Sequence, residues 1–552
     1  MQYKAPVDST LFLLRDVLEF DNELTEPVLK EIAKLSEETI APTNAIGDIE
    51  GCKYVKEENK VKTPEAFKEP YKAFAEGGWI GLSVPERFGG QGLPFTLAVA
   101  ANEFVSSSNM AWSLFPGITR GAIQALLVSA TDKLKEDYIP MLVSGKWTGT
   151  MCLTEPHCGT DLGLLKTKAV IDGDDYYITG QKIFISGGEH DLTDNILHLV
   201  LARVEGDPEG VKGISLFAVP KMLGPKRNNV SCGAIEEKMG IHGSPTCVMN
   251  FDGARGYLVG ERCRGLQGMF IMMNELRLGC AIHGLSQSEL AYQNALQYAK
   301  ERMQGTNISK GKNGSVVPII SHPDIRRMLM DVRCINEAAR LLVLEAATLV
   351  DKDGEEAEDR LGLMTPVLKG VITDYGVENA IKMQQVWGGH GYVRDNGMEQ
   401  IVRDARIAMI YEGANGIQAL DLVGRKLPKN MGRAVTRFFQ DTLVFLNVAY
   451  GNDINHIVQP MTQAVSELNQ ATEWLAANGF KNPNDAGGAS YDYMKMFGLV
   501  LLGLAHVRIC LATDDKDRHN TAEYFMNRIL PETSLLLKRM RFGSDTMMKA
   551  EL

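Results

Sequence analysis

No two cysteines in this chain have C-x-x-C spacing, although nine are present in 552 residues, at positions 52, 152, 158, 232, 247, 263, 280, 334 and 510. Thiols at that density argue against a disulfide scaffold or a Cys-based zinc site, and for buried cysteines in a reducing compartment. Positive charge is also short: 58 Lys+Arg against 69 Asp+Glu leaves −11, which gives no electrostatic footprint for wrapping nucleic acid or anionic lipid. Near the start, Lys4 and the short run Leu11–Leu14 are followed at once by Arg15 and Asp16, before a secretory apolar region could form. This reads as an uncleaved start, and the cytoplasm is the expected location. The most apolar later stretch, Phe497–Val507, contains His506 and is too short for a bilayer, which needs about 20 apolar residues.

Several nucleotide and metal motifs are missing as well. Gly388-Gly389-His390-Gly391 is the nearest approach to G-x-G-x-x-G, but it follows a helical pattern and lacks the third glycine, so a Rossmann domain is disfavoured. There is no H-E-x-x-H and no lysine in a Walker A context, which removes zincin and P-loop readings. No repeat of solenoid period and no low-complexity tract occurs.

What is present is material for a large core, 45% hydrophobic with 23% charged residues, in a length that predicts several domains. Residues 1 to about 150 show helical periodicity, with Leu11, Leu14 and Leu18 on one face and Val28, Ile32 and Leu35 on another. The Gly/Pro-rich stretch Pro85–Gly92 breaks that pattern. From residue 151 to 267 short β-rich runs take over: Tyr176–Ile178, Lys182–Ser186, Ile196–Val204, Ile214–Val219 and Cys247–Phe251. Helical pattern returns over 268–428, in Met269–Arg302, His322–Asp351 and Thr365–Trp387, with a Lys/Gly/Asn loop at Ser309–Ser315. Residues 429–552 make a further helical segment, interrupted by a loop expected at Lys481–Gly488. The layout is mainly α with a central β domain, then an additional C-terminal helical domain.

Four segments carry the chemistry, in this order: Met151-Cys152-Leu153-Thr154-Glu155-Pro156-His157-Cys158-Gly159-Thr160-Asp161, Lys182-Ile183-Phe184-Ile185-Ser186-Gly187-Gly188, Gln385-Val386-Trp387-Gly388-Gly389-His390-Gly391-Tyr392, and Arg403-Asp404-Ala405-Arg406 ahead of Tyr411-Glu412-Gly413-Ala414-Asn415-Gly416-Ile417-Gln418. With them, the sequence from about residue 40 to 430 resembles the acyl-CoA dehydrogenase family. Asn274–Arg277, Tyr292–Ala295 and Ile417–Lys426 carry a closer likeness to the subgroup with an extra C-terminal helical domain, which includes 3-methylmercaptopropionyl-CoA dehydrogenases.

The resemblance implies an α, β-barrel, four-helix-bundle architecture. It implies FAD as cofactor and α,β-dehydrogenation of an acyl-CoA thioester to a trans-2-enoyl-CoA, with electrons passing to an electron-transfer flavoprotein. An α-proton beside a thioester is a weak acid. Its removal needs a positioned carboxylate and a hydrogen-bonded carbonyl to take the enolate charge, with hydride leaving Cβ for flavin N5. Glu412 matches the base, and desolvation in an apolar pocket would raise its pKa toward operating pH. Its backbone N–H and a flavin ribityl hydroxyl are the implied oxyanion donors. Some family members carry the base on the long helix instead, where this chain has Leu276; Glu275 is one residue off, a rotation of about 100°.

For the flavin, Thr154 and Ser186 match hydroxyl and backbone contacts, Phe184 an aromatic packed on the ring, and Met151 and Leu153 the strand beside it. Arg302 matches an arginine that reaches the FAD pyrophosphate of a neighbouring subunit. Gln385, Gly388 and Gly389 match adenine-side and pyrophosphate contacts. These matches imply sites completed between subunits, hence a homo-oligomer, a dimer favoured. For the substrate, Thr160 matches a pantetheine contact, Arg277 a CoA-cleft arginine, and Asn274 replaces the usual aspartate. Tyr411 and Gly413 flank the base, and Trp112 and Phe115 are candidate pocket aromatics. An acyl-CoA oxidase using O₂, or a relative with a mainly binding role, stays open on the residues alone.

Overall fold

The computed structural model describes residues 1–20, 22–173, 175–307 and 314–552; the expected Ser309–Ser315 loop lies, up to residue 313, outside the described residues. Contacts divide the chain into two compact units, residues 31–279 and residues 1–30 together with 280–552.

In residues 31–279 the main helices are α1 (Phe95–Ser108), α2 (Met110–Ser129) and α3 (Asp132–Val143). Asn109 starts α2 by accepting the Trp112 N–H at 3.0 Å, and Thr131 starts α3 by accepting that of Leu134, the usual remedy for unpaired first-turn amides. Small and apolar residues leave α1 buried on all sides after Phe95. This region is not helical throughout, as its periodicity had implied. Lys53–Val55 and Lys60–Lys62 pair antiparallel, because Asn59 takes a left-handed φ of 50° and Val61 joins the apolar core of the β domain.

Seven strands follow: β1 (Trp147–Cys152), β2 (Lys168–Asp172), β3 (Asp175–Ser186), β4 (Asn195–Val204), β5 (Ile214–Pro220), β6 (Val230–Ile235) and β7 (Thr246–Val259). The two runs expected at Tyr176–Ile178 and Lys182–Ser186 are one strand, β3. β7, β3, β2, β4 and β5 pair in a closed ring, with β6 outside β7 and β1 outside β4. Closure removes the exposed edges that an open sheet would leave. Ile178, Ile185, Val200, Phe217, Cys247 and Phe251 fill the interior, each worth about 1.5–3 kcal/mol for the larger side chains. Gly149 on β1 lets α2 lie against the barrel: a Cβ there would fall 2.4 Å from that of Ala122, and its N–H donates to Thr119 Oγ1.

The long helix α4 (Gly265–Glu301) enters the second unit, where α5 (Pro323–Val350) and α6 (Glu355–Val386) pack antiparallel neighbours. α4 and α6 cross at two glycines. A Cβ on Gly284 would sit 2.6 Å from the Ile372 carbonyl oxygen, and one on Gly376 2.7 Å from Gly284 Cα. Beyond α7 (Asn415–Asp421) come α8 (Arg433–Ala449), α9 (Asn455–Asn478), α10 (Pro483–Leu511), α11 (Lys516–Arg528) and α12 (Glu532–Arg541).

The loop expected at Lys481–Gly488 is largely helix. Asn482 caps α10 and Pro483 is its first residue, the one helical position where proline's missing N–H costs nothing. α10 is therefore 29 residues, long and apolar enough by composition to cross a membrane, with 83% of its most apolar window buried inside the protein. It packs on α6, Gly498 meeting Val371 and Gly370 meeting Met494. Its His506 is held neutral by burial, its pKa pulled down to about 4, with Nε2 at 3.0 Å from the Cys334 carbonyl. Because a methyl on Gly284 must displace backbone, Gly284→Ala is expected to lower stability by about 1–3 kcal/mol. Thermal denaturation of the purified variant checks this, and an unchanged melting temperature would remove the crossing from the account.

Candidate active site

The candidate residues fall in both units, and each group is described by itself. In residues 31–279, the turn after β1 is organised around a buried ion pair. Lys182 Nζ, wholly buried, donates to Glu155 Oε1 at 2.9 Å and to the Leu153 carbonyl at 2.9 Å. Glu155 also accepts the Thr167 and Lys166 amides at 3.0 and 2.7 Å. Burial pushes its pKa up, but Lys182 and those donors outweigh burial and hold the carboxyl below its ordinary range. A carboxylate so satisfied is a structural pin, and it fixes the segment carrying Met151, Leu153 and Thr154. Cys158, Glu155 and His157 have ligand atoms close together, but the ammonium on Glu155 works against a metal cation there.

Opposite this turn, two residues of β3, Ile183 and Phe184, face one of β7, Val248, in a β-bulge. The Ile183 N–H, lost to the ladder, donates to the Thr154 carbonyl at 2.9 Å. Phe184 takes a left-handed φ of 58° and is 60% exposed. A non-glycine residue held there costs of order 1–3 kcal/mol, and such strain gathers at functional sites. The bulge thus brings three predicted flavin contacts, Thr154, Phe184 and Ser186, to one end of the barrel.

Ser186 and Gly187 line a narrow crevice with Phe115, Thr148 and His190. Leu192 N–H donates to His190 Nδ1, so Nε2 carries the hydrogen toward Thr148 Oγ1 at 2.8 Å. Burial, with Lys221 nearby, pulls this histidine down to about 3, and it stays neutral. Phe115 meets its ring edge-on at 5.1 Å. Trp112 is fully buried, donating to the Phe67 carbonyl and packed on Phe74; it is a core residue. Thr160 and Asn274 are exposed, and Arg277 is buried.

Glu275, one residue off the alternative base position, is a carboxyl whose surroundings the sequence did not show. Its Oε2 is buried with no hydrogen-bond donor among the described residues. Burial raises its pKa to about 7 against the pull of Arg120 on α2. Only packing against α2 shows this, and nothing in the local sequence signals it.

In residues 1–30 and 280–552, Glu412 sits between Tyr411 and α7 with a left-handed φ of 56°, followed by Gly413 at 87°. Two successive left-handed residues turn the chain sharply. A Cβ on Gly413 would meet Gln418 Nε2 at 2.7 Å, so glycine is required there. Buried Gln418 donates that amide to the carbonyls of Glu412 and Gly413 at 3.3 and 3.0 Å. The Tyr411 hydroxyl is hydrogen-bonded to His283 Nδ1 on α4, and burial drives its pKa well above 10. Tyr411 thereby tethers the loop, which its assignment to the substrate had not included.

Gln385 and Gly388 close the C-terminal turn of α6, with Gly388 N–H donating to the Gln385 carbonyl. Gly388 has φ 58°, and a Cβ on either Gly388 or Gly389 would meet nothing within 4 Å. Arg302, just after α4, is exposed and makes no ion pair with the described residues. Gln418, Asn415, Glu155 and Lys182 lay inside the motifs read from sequence; Gln418 bonds within its own motif, whereas Asn415 and the Glu155–Lys182 pair depend on partners 46 and 27 positions away.

Residues 31–279 thus offer a strained, exposed aromatic bulge at Phe184, and residues 280–552 an open glycine backbone at Gly388–Gly389 and a carboxylate on a left-handed turn at Glu412, each the kind of feature that gathers at functional sites. Comparison with known proteins agrees. Four family models match in sequence: acyl-CoA dehydrogenase N-terminal domain at 27–146, middle domain at 150–254, C-terminal domain at 264–427, and acetyl-CoA dehydrogenase C-terminal like at 434–551. A 3-methylmercaptopropionyl-CoA dehydrogenase of Ruegeria pomeroyi is 36% identical over the whole of both chains. The fold matches Caenorhabditis elegans ACDH-11 in complex with C11-CoA, with a TM-score of 0.83 at 20% identity over 95% of this chain and 91% of that one. A structure reported for the electron transferring flavoprotein of Acidaminococcus fermentans is 28% identical, with a TM-score of 0.62 over 74% of this chain and 100% of that one. The chain belongs to the acyl-CoA dehydrogenase family, and it is an oxidoreductase of that FAD-dependent class.

The residues of each unit fit FAD: in residues 31–279 the exposed Phe184 and half-exposed Thr154 and Ser186 are the kinds of groups a flavin ring takes, and in residues 280–552 the open backbone at Gly388–Gly389 and the exposed Arg302 guanidinium, with no ion pair among the described residues, are the kinds a pyrophosphate takes. One pH effect follows from Glu275. Its carboxyl is raised from 4.5 to about 7, so its proton stabilises the folded state below about pH 4.5, and that contribution is lost as pH rises through 7. Glu275→Gln should therefore gain melting temperature relative to the parent at pH 8 compared with pH 5. An equal difference at both pH values would show that Glu275 does not titrate as stated.

Proposed function

We propose that this protein is an acyl-CoA dehydrogenase that removes the α-proton and β-hydride of a short acyl-CoA and releases a trans-2-enoyl-CoA, with Glu412 as the base. The observation that carries this reading is the Glu412 carboxylate on a left-handed residue, its carbonyl held by Gln418 and its loop by Tyr411. A base must be stationary relative to the proton it takes, since misplacement erodes the effective concentration of the reacting pair.

In this reading Glu412 Oε accepts the Cα proton while its own backbone N–H donates to the thioester carbonyl, where the enolate charge gathers. Bound FAD supplies the acceptor for the hydride leaving Cβ. Thr154, Phe184 and Ser186 hold its ring system, Gln385, Gly388, Gly389 and the partner copy's equivalent of Arg302 its phosphate and adenine side, and Met151 and Leu153 the strand beneath. Thr160, Asn274 and Arg277 receive the CoA portion, and Gly413 leaves room beside the base. The working unit in this reading is a homodimer, supported by the arginine assignment.

The full-length likeness to a 3-methylmercaptopropionyl-CoA dehydrogenase supports a thioether-bearing short acyl group as substrate. The likeness to a structure from work on an electron transferring flavoprotein supports such a flavoprotein as electron acceptor. An acyl-CoA panel of increasing length, with the 3-methylthiopropionyl member included, should bleach the flavin band anaerobically, the methylthio member fastest. Glu412→Gln should retain its flavin and slow bleaching by about 10²–10⁴-fold. Bleaching at the parental rate would exclude Glu412 as base, and rapid reoxidation by O₂ without the flavoprotein would make the protein an oxidase.

A further inference from the structure

Behind the Glu412 loop lies a polar chain, buried at Lys369 and Asn415 and open to solvent at Tyr491, that leads into the additional C-terminal segment. Asn415, the first residue of α7, is 4% exposed. Its Oδ1 accepts from the wholly buried Lys369 Nζ at 2.7 Å. Its Nδ2 is within hydrogen-bond reach of the Gly370 carbonyl at 3.0 Å, Thr373 Oγ1 at 2.9 Å and Asp374 Oδ1 at 2.7 Å, all on α6. The other oxygen of Asp374 accepts from the Tyr491 hydroxyl at 2.6 Å, and Tyr491 belongs to α10.

The sequence of contacts is thus Tyr491 to Asp374 to Asn415, three residues from Glu412. Gln418 is on the same α7 as Asn415, so whatever fixes the start of α7 fixes the donor to both left-handed carbonyls. Asn415 has its amide oxygen and nitrogen both engaged, a satisfied buried group that resists rotation. Asp374 depends on two donors from different directions. Burial raises its pKa, Tyr491 and Asn415 pull it down, and Lys495 and Lys369 add positive charge. Asp374 is half-buried and Tyr491 partly exposed, and without the Tyr491 hydroxyl one carboxylate oxygen loses its short donor.

We propose that Tyr491 is a positioning residue for the reaction: the additional C-terminal segment, through Tyr491 and Asp374, holds Asn415 and with it the turn that presents the Glu412 carboxylate. The inference rests on Glu412 being the base. It gives residues 429–552 a part in the chemistry beyond filling the unit, and it names the one hydroxyl through which that part is exercised.

The test uses full-length holoenzyme turning over acyl-CoA anaerobically, with an excess of an artificial redox dye as the electron acceptor. Tyr491→Phe keeps the ring and removes only the hydroxyl. Its kcat should fall about 5- to 20-fold, as expected when a hydrogen bond to a charged group is lost, with KM within about twofold and flavin content unchanged. Asp374→Asn retains an acceptor for Asn415 and offers an amide to Tyr491, so it should keep at least about half the parental kcat, whereas Asp374→Leu should match or exceed the loss in Tyr491→Phe. Combining Tyr491→Phe with Asp374→Leu should cost no more than Asp374→Leu alone, because both act through one chain of contacts.

A parental kcat in Tyr491→Phe overturns the proposal. So does a loss that tracks flavin content, that appears chiefly in KM, or that Asp374→Asn shows in full. Glu412→Gln is measured beside these: if it keeps the parental rate, the base assignment fails and the positioning role falls with it, whereas a dead Glu412→Gln with a fully active Tyr491→Phe removes the positioning role alone.

Discussion

A carboxylate on a left-handed backbone residue stays where it is only if something else holds the turn. At Glu412 and Gly413 the holding is done by one buried amide, that of Gln418, which donates to both carbonyls from the first turns of α7. α7 in turn is anchored at Asn415 to Lys369, Thr373 and Asp374 of α6, and Tyr411 on the other side is tied to His283 of α4. α4 and α6 can serve as a common base because they approach at Gly284 and Gly376 with no side chain between them. The geometry of the Glu412 turn is therefore a property of the helix crossing, carried outward through a short series of hydrogen bonds. This is how rigid elements position a functional loop.

The other unit solves a similar problem with different parts. Phe184 is presented outward by a bulge that spends backbone strain, and the strain persists because both sides of the bulge are over-determined. The Ile183 N–H finds the Thr154 carbonyl, and the Thr-Glu-Pro turn is pinned by Glu155 to Lys182 on the same strand as Phe184. A wholly buried lysine and a buried glutamate satisfy each other and the neighbouring amides, and removal of either would leave the other charge without compensation. Within residues 1–30 and 280–552 the additional C-terminal helices are packed into the bundle rather than appended to it. The glycine contacts of α10 with α6 and the His506 hydrogen bond to Cys334 show α10 as a core helix.

Much of the architecture was legible because patterns of apolar residues report directly on local geometry. The strands at Ile196–Val204 and Ile214–Val219 and the long helices near 269–302 and 322–351 follow from period alone, and the structure has β4, β5, α4 and α5 there. Reading failed where one residue carries two meanings. Pro483, amid Asn and Gly, looks like a loop, but after an asparagine cap it is a helix start. The hairpin at Lys53–Lys62 is too short for period to register. Trp112 is a candidate pocket aromatic by sequence, and its indole N–H bound to the Phe67 carbonyl places it in the core.

By itself the sequence determined the class of elements, their order, the motif residues from Met151 to Gln418, and the resemblance they carry, since these depend on residue type and spacing along the chain. Only the tertiary structure decided which of those residues are held and by what. The raised pKa of Glu275 depends on burial near Arg120, the Phe184 bulge on a register shift against β7, and the fixed start of α7 on Lys369, Asp374 and Tyr491. Desolvation, strand register and hydrogen bonds such as that between Tyr491 and Asp374, 117 positions apart, arise when distant segments meet, and no local pattern encodes them.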